Sequence, residues 1–304
     1  MKSIKENFRL FTLQLQDEIC SRLEEVDDKA RFREDLWERE GGGGGISRVM
    51  EGGHIFEKGG VSTSEVHGEL PGLIRKRFDV DQGWFYATGL SLVIHPESPM
   101  IPTVHANFRY FELYEQKGGP PVDAWFGGGM DLTPYYLIDE DIVHFHKVLK
   151  NTCDAFGKSL YPEFKKKCDE YFYNSHRGEA RGVGGIFFDY LRDGSVCSLS
   201  SWLDMVRANA SAFAPAYLPL VERRKEGSYT EQQRYFQEIR RGRYVEFNLI
   251  HDRGTLFGLK TSGRTESILM SLPPRVRWDY DYQVAPGSEE DRTMRVLKNP
   301  QSWT

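Results

Sequence analysis

Thr103-Val104-His105-Ala106-Asn107-Phe108-Arg109-Tyr110 alternates strictly between two kinds of side chain. In an extended chain Val104, Ala106, Phe108 and Tyr110 fall on one side, and His105, Asn107 and Arg109 on the other. At a rise of about 3.3 Å per residue, an imidazole, a carboxamide and a guanidinium stand in a row of about 13 Å. The texture stays extended on both sides of this stretch. Residues 84–95 are rich in aromatic and β-branched types and end at Pro96, with Ser91, Val93 and His95 on one face. Gly118-Gly119-Pro120-Pro121 marks a turn before a further strand at 122–126. Connections this short favour antiparallel neighbours, so the polar faces of the strands join into one patch. Under a covering helix, polar residues on such a patch need partners or a ligand.

Helical periodicity frames these strands. Ile4, Phe8, Phe11, Leu15, Ile19, Leu23 and Val26 recur every three or four residues, which predicts an amphipathic helix over the first 26 residues. Asp139-Glu140-Asp141 suits a helix N-terminus, and that helix is expected to run to about 156. Further helices are expected over 159–173, 198–213 and 230–241. A last pair of strands, at 243–250 and 255–260, is expected before a short helix from Thr265 that Pro273-Pro274 ends. The glycine run 41–45 lacks the Lys-Ser/Thr pair of a phosphate loop, and reads instead as a loop at the lip of a site, before a strand at 46–50. With no repeat and no long linker, the expected architecture is α+β: a single domain over 1–304 with a large antiparallel sheet flanked by helices on both faces.

Composition narrows the function. A net charge of −5 argues against a protein held on nucleic acid by bulk charge. Aromatics at 13% beside charged residues at 28% argue against disorder, and no run of about 18 apolar residues suggests a membrane span. The four cysteines form no CxxC pair and no iron–sulfur pattern, as expected of reduced thiols in the cytoplasm. Asp131 follows Gly127-Gly128-Gly129, a backbone that can approach a ligand closely. Thr261-Ser262-Gly263-Arg264 joins free amides at a helix start to an arginine, a plausible clamp for a carboxylate or phosphate. The eight histidines show no HExxH spacing and one HxH pair, His144 and His146, which point to different sides of one helix, so no compact metal motif results.

Several longer strings carry more. His176-Arg177-Gly178-Glu179 and Arg181-Gly182-Val183-Gly184-Gly185-Ile186-Phe187-Phe188-Asp189, together with 102–110, 125–134, 242–248 and 252–255, resemble the signature of oxygen-dependent coproporphyrinogen III oxidases. Lys167 and Asn174 depart from it, where the family has tryptophan and an aliphatic residue. The resemblance implies a seven-stranded antiparallel sheet, a homodimer with its contact in 244–280, and no organic cofactor. It implies aerobic oxidative decarboxylation of two propionates of coproporphyrinogen III to vinyl groups, giving protoporphyrinogen IX, carbon dioxide and hydrogen peroxide in haem biosynthesis. It makes His105 the proton donor, and Ser91, Asn107, Phe108, Arg109, Ser262, Gly263 and Arg264 substrate contacts. Bacterial members are described with a divalent metal, often manganese, at positions matching His95, His105, His144 and His176. Asp131 is the candidate for holding the pyrrole N–H groups, where a carboxylate stabilises positive charge or acts as base.

Overall fold

The computed structural model describes residues 2–70, 72, 75, 82–194, 197–260 and 263–304. Helix α1 (Ile4–Asp27) starts at a capping box, in which the Ser3 hydroxyl accepts the Glu6 N–H and the Glu6 carboxylate accepts the Ser3 N–H. Six strands follow: β1 (Arg33–Glu38), β2 (Gly43–Glu51), β3 (Phe56–Glu69), β4 (Trp84–Pro96), β5 (Thr103–Tyr114) and β6 (Pro121–Thr133). Helices α2 (Asp139–Asp154) and α3 (Leu160–Tyr171), the small ribbon β7 (Tyr173–Asn174) and β8 (Glu179–Ala180), and β9 (Gly184–Arg192) come next. The C-terminal part contains α4 (Leu199–Ser211), α5 (Phe213–Arg224), α6 (Glu231–Glu246), a π-helical turn (Phe247–His251), α7 (Arg253–Lys260), α8 (Thr265–Leu269) and α9 (Glu289–Lys298).

Strands β1-β2-β3-β4-β5-β6-β9 form one seven-stranded sheet, antiparallel throughout. Alternation along β5 sets its two faces. Val104, Ala106, Phe108 and Tyr110 are at most 2% exposed and join a core with Phe8 and Leu15 of α1, Phe145 of α2 and Tyr217 of α5. That core extends to Trp303, so the α+β, single-domain expectation holds. The other face of β5 looks toward the π-helical turn, α7 and α8.

Three strands of the large sheet, the small β7–β8 ribbon and two helices escaped the sequence pattern. β1 and β9 are edge strands, and β3 carries Gly59, Gly60, Ser62 and Ser64 where a strand signal needs branched or aromatic residues. α5 contains Pro215 and Pro219, and α9 is short and mostly charged. Residues 243–260, expected to be strands, are helical instead. Tyr244, Phe247, Asn248 and His251 recur at helical spacing, and α6 starts from its own capping box at Thr230 and Gln233. The glycine run is not wholly a loop: Gly43 to Gly45 already belong to β2, and the tight turn before them places Gly42 and Gly43 at positive φ.

One largely buried carboxylate, its side chain 10% exposed, fastens α6 to the sheet. Glu57 accepts from Arg234 Nη2 at 2.8 Å to each oxygen and from Arg241 Nη1 at 2.6 Å. The Arg241 side chain is fully buried and also donates to the Pro96 carbonyl at 2.7 Å. Burial alone would push the Glu57 carboxyl up, but the Arg241 and Arg234 charges hold it below the usual range. Glu57→Ala leaves the fully buried Arg241 without its anion, while Arg234 keeps Glu97 and Glu238 at 3.7 Å, and is expected to cost about 3 kcal/mol at neutral pH. A carboxyl depressed in the fold stabilises it above the unfolded value of about 4.3, and this contribution is lost as pH falls through the folded value. Urea unfolding of wild type and variant at pH 7 and at pH 3 should therefore show a gap that narrows in acid.

Candidate active site

Cross-strand register decides what surrounds the polar row of β5. His105 lies opposite Val93 on β4 and Asp131 on β6, Asn107 opposite Ser91 and Gly129, and Arg109 opposite Gly89 and Gly127. Glycines thus flank Arg109 on both sides and clear the sheet surface around it. A Cβ on Gly127 would sit 2.9 Å from Arg109 Nε and 2.6 Å from an Asp189 oxygen. Above this cleared strip opens a cavity of about 760 Å³ with Trp37, Phe111, Trp125, Tyr171 and Tyr190 among its walls. Asn107, Arg109, Asp189, Arg253 and Arg264 are polar groups of its floor and of the helical segments over it, and Glu38, Arg39, Glu40 and Gly41 belong to its lip. A deeper hollow of about 410 Å³ shares Asn107, Arg109, Tyr171 and Arg264 with it and is lined by Ser91, His105, Arg181 and Asn248.

His105 is the titratable group best placed for proton transfer. Its Nδ1 lies 2.7 Å from Asp131 Oδ1, and the edge of its ring meets Phe172 with centroids 5.7 Å apart. Asp131 is 1% exposed. Arg181 Nη2 stands 2.8 Å from each Asp131 oxygen, and Arg181 Nη1 donates to Asn248 Oδ1 at 3.0 Å. The Arg181 guanidinium rests on the rings of Phe172, Tyr244 and Phe247 at 4.0, 4.6 and 4.9 Å. Burial works to raise the Asp131 carboxyl, and the Arg181 charge and the His105 hydrogen bond outweigh it, so Asp131 stays ionised. An ionised Asp131 takes the proton on Nδ1 and leaves Nε2 as the ring nitrogen available to a ligand.

This geometry revises three expectations. Asp131 lines neither hollow; its oxygens are engaged by Arg181 and His105, and where it stands it orients the imidazole. Phe108 points into the core, 1% exposed, with its ring 6.3 Å from that of Phe188, as its place in the alternation demands. The four histidines do not converge. Both ring nitrogens of His95 are engaged, by Thr103 Oγ1 and the Ser271 carbonyl; His144 bonds the Pro215 carbonyl; His176 bonds His251 and Glu246. Among the described residues no group of three or more His, Cys, Asp or Glu side chains could hold a metal ion. With their ring nitrogens held by separate partners, these four histidines do not fit a shared manganese ion.

Ser91, Asn107, Arg109, Gly263 and Arg264 do gather at the cavity, while Ser262 lies outside the described residues. Neither candidate clamp is bare: Arg109 Nη2 is 3.0 Å from Asp189 Oδ2, and Arg264 pairs with Asp35 on β1. Sequence reasoning missed Arg181, Asp189, Arg253 and Trp37. Arg253, stacked on Tyr171 at 4.7 Å, reaches the cavity because its segment is helical where strands were expected.

An apolar-walled chamber with fixed guanidiniums and an imidazole anchored on a buried carboxylate defines an enzyme for a large, multiply anionic ligand. The chain belongs to the coproporphyrinogen III oxidase family, whose model matches residues 7–303. It is 48% identical over 310 residues to a protein from Glycine max named oxygen-dependent coproporphyrinogen-III oxidase, chloroplastic, covering 99% of this chain and 80% of that protein. Lys167, one of the two departures in the family signature, pairs on the surface with Glu163. Asn174, the other, is buried and donates to the Arg243 carbonyl at 3.1 Å.

Asp131→Asn keeps the shape but removes the charge that sets the His105 tautomer. A fall in kcat of about 10²–10⁴ with KM within a few-fold of wild type is expected, by analogy with other histidines stripped of an orienting carboxylate. Steady-state kinetics on folded variant checks it.

Proposed function

We propose that this chain converts coproporphyrinogen III to protoporphyrinogen IX with dioxygen as acceptor; the name of its relative gives that protein's substrate and its dependence on oxygen. The observation that supports this most is His105, lining the hollow with Nδ1 bound to a buried, ionised Asp131. Each propionate follows R–CH2–CH2–COO⁻ + O2 + H⁺ → R–CH=CH2 + CO2 + H2O2. The carboxylate leaves as carbon dioxide, and two electrons pass to dioxygen. His105 Nε2 is suited to relay the proton this balance requires. Arg109 holds the reacting propionate, Arg264 and Arg253 take others, and the aromatic walls bury the ring and keep bulk water away. The reduced pyrrole is electron-rich enough to react with dioxygen itself, so no organic cofactor is called for.

A homodimer belongs to the same reading. Leu249, Ile250 and Leu259, exposed by 41%, 53% and 41%, lie in the 244–280 segment that the family resemblance assigns to dimer contact. Ile250→Asp should shift the sedimentation coefficient toward a monomer, and an unchanged value would place the contact elsewhere. The four cysteines are all free, which favours a reducing compartment such as the cytoplasm, although the relative's name is chloroplastic. No helix among the described residues is long and apolar enough to cross a membrane.

Purified protein with coproporphyrinogen III in air should consume oxygen and release carbon dioxide one for one. Equal rates with and without a chelator are expected, and loss of turnover on chelation would bring metal back into the reaction. Binding of the porphyrinogen without oxygen uptake would make the chain a carrier. Arg109→Ala should lose at least about 2 kcal/mol of transition-state stabilisation in kcat/KM. Near-wild-type turnover would remove Arg109 from the reaction.

A further inference from the structure

The register of β6 against β9 slips once, opposite Gly127. Phe126 pairs with Leu191 and Gly128 with Phe188, so Asp189 and Tyr190 together face a single residue. This is a β-bulge, a device that re-aims side chains beside functional sites. Tyr190 adopts φ 57°, a left-handed backbone that an aromatic residue adopts only under constraint. The result is that two consecutive residues, which a regular strand would send to opposite faces, both line the same cavity. One Asp189 oxygen accepts the Tyr190 N–H at 3.1 Å and the other meets Arg109 Nη2 at 3.0 Å. Arg109 Nη1 donates to Asn107 at 3.2 Å, and the absent side chain of Gly127 leaves the space that the Arg109–Asp189 pair occupies.

We propose that Asp189 is a positioning residue for Arg109: it is the resting counter-ion that a reacting propionate displaces and that returns once the propionate has become carbon dioxide and a vinyl group. The inference rests on the reading that Arg109 holds a reacting propionate. Such a propionate is an anion that the reaction itself destroys. Without Asp189, the Arg109 guanidinium, 39% exposed at the cavity floor, would stand as an uncompensated positive charge after every decarboxylation. It would also hold the tetra-acid ground state more tightly than turnover requires. A carboxylate built into the floor removes both problems, and the bulge sets it beside Arg109.

The probes are coproporphyrin III, the oxidised and fluorescent tetra-acid, and its tetramethyl ester. Asp189→Asn should bind coproporphyrin III roughly tenfold more tightly and turn over coproporphyrinogen III roughly tenfold more slowly. The ester's affinity should not change, and Asp189→Glu should restore wild-type affinity for the acid. A merely structural role moves affinity and kcat down together with the melting midpoint, and that result would overturn the proposal. So would unchanged acid affinity in Asp189→Asn. Asp189→Ser repeats the test should the amide variant not fold. Arg109→Ala separates the two layers: if it leaves coproporphyrin III affinity intact, the assignment of Arg109 fails and takes this inference with it. If it weakens binding while Asp189→Asn does not tighten it, only the role of Asp189 is overturned.

Discussion

A carboxylate almost without solvent contact, in the middle of a sheet, keeps its charge only if a cation follows it into the interior. Here Asp131 is that carboxylate and Arg181 the cation, and the rest of the site is arranged so that the two can meet. Arg181 stands just after the small β7–β8 ribbon, its guanidinium lies on three aromatic rings, and its far nitrogen is held by Asn248 of the π-helical turn. Asn248 is there because α6 is pinned through Arg234 and Arg241 to Glu57. The orientation of one imidazole thus depends on an ion pair at the far end of another helix.

Two of the cations at the cavity are arranged by a similar logic. Arg109 and Arg264 both have carboxylate partners, Asp189 on β9 and Asp35 on β1, the two edge strands of the sheet. These two pairs offset part of the positive charge at the cavity, and the guanidiniums still offer the geometry that carboxylates recognise.

The sheet was largely legible because its central strands alternate. The period of two in 103–110 announced both faces of β5, and with it the grouping of His105, Asn107 and Arg109. The same rule places Phe108 in the core, so its assignment to the substrate followed family resemblance against the local pattern. What stayed hidden has physical reasons. In 243–260 a run of aromatic and β-branched residues imitates strands, and tertiary anchoring on Glu57 and Arg181 overrides that propensity. Asp131 was visible as a carboxylate after glycines, but nothing local said that Arg181, fifty residues on, would close over it. Asp189 reaches the cavity through a bulge, and a one-residue slip in register leaves no periodic trace.

The π-helical turn at Phe247–His251 has a consequence for how the lid is phased. A widened turn accommodates one more residue than an α-helix, so the chain leaves it rotated by roughly 100° from where an unbroken helix would point. Asn248 can thereby face inward to Arg181 while Asp252 accepts the Tyr171 hydroxyl and Arg253 lies over the Tyr171 ring. Length at this joint matters more than residue identity: shortening the turn by one position would swing α7 round its own axis and carry the Arg253 cation away from the chamber, even with every cavity side chain left intact.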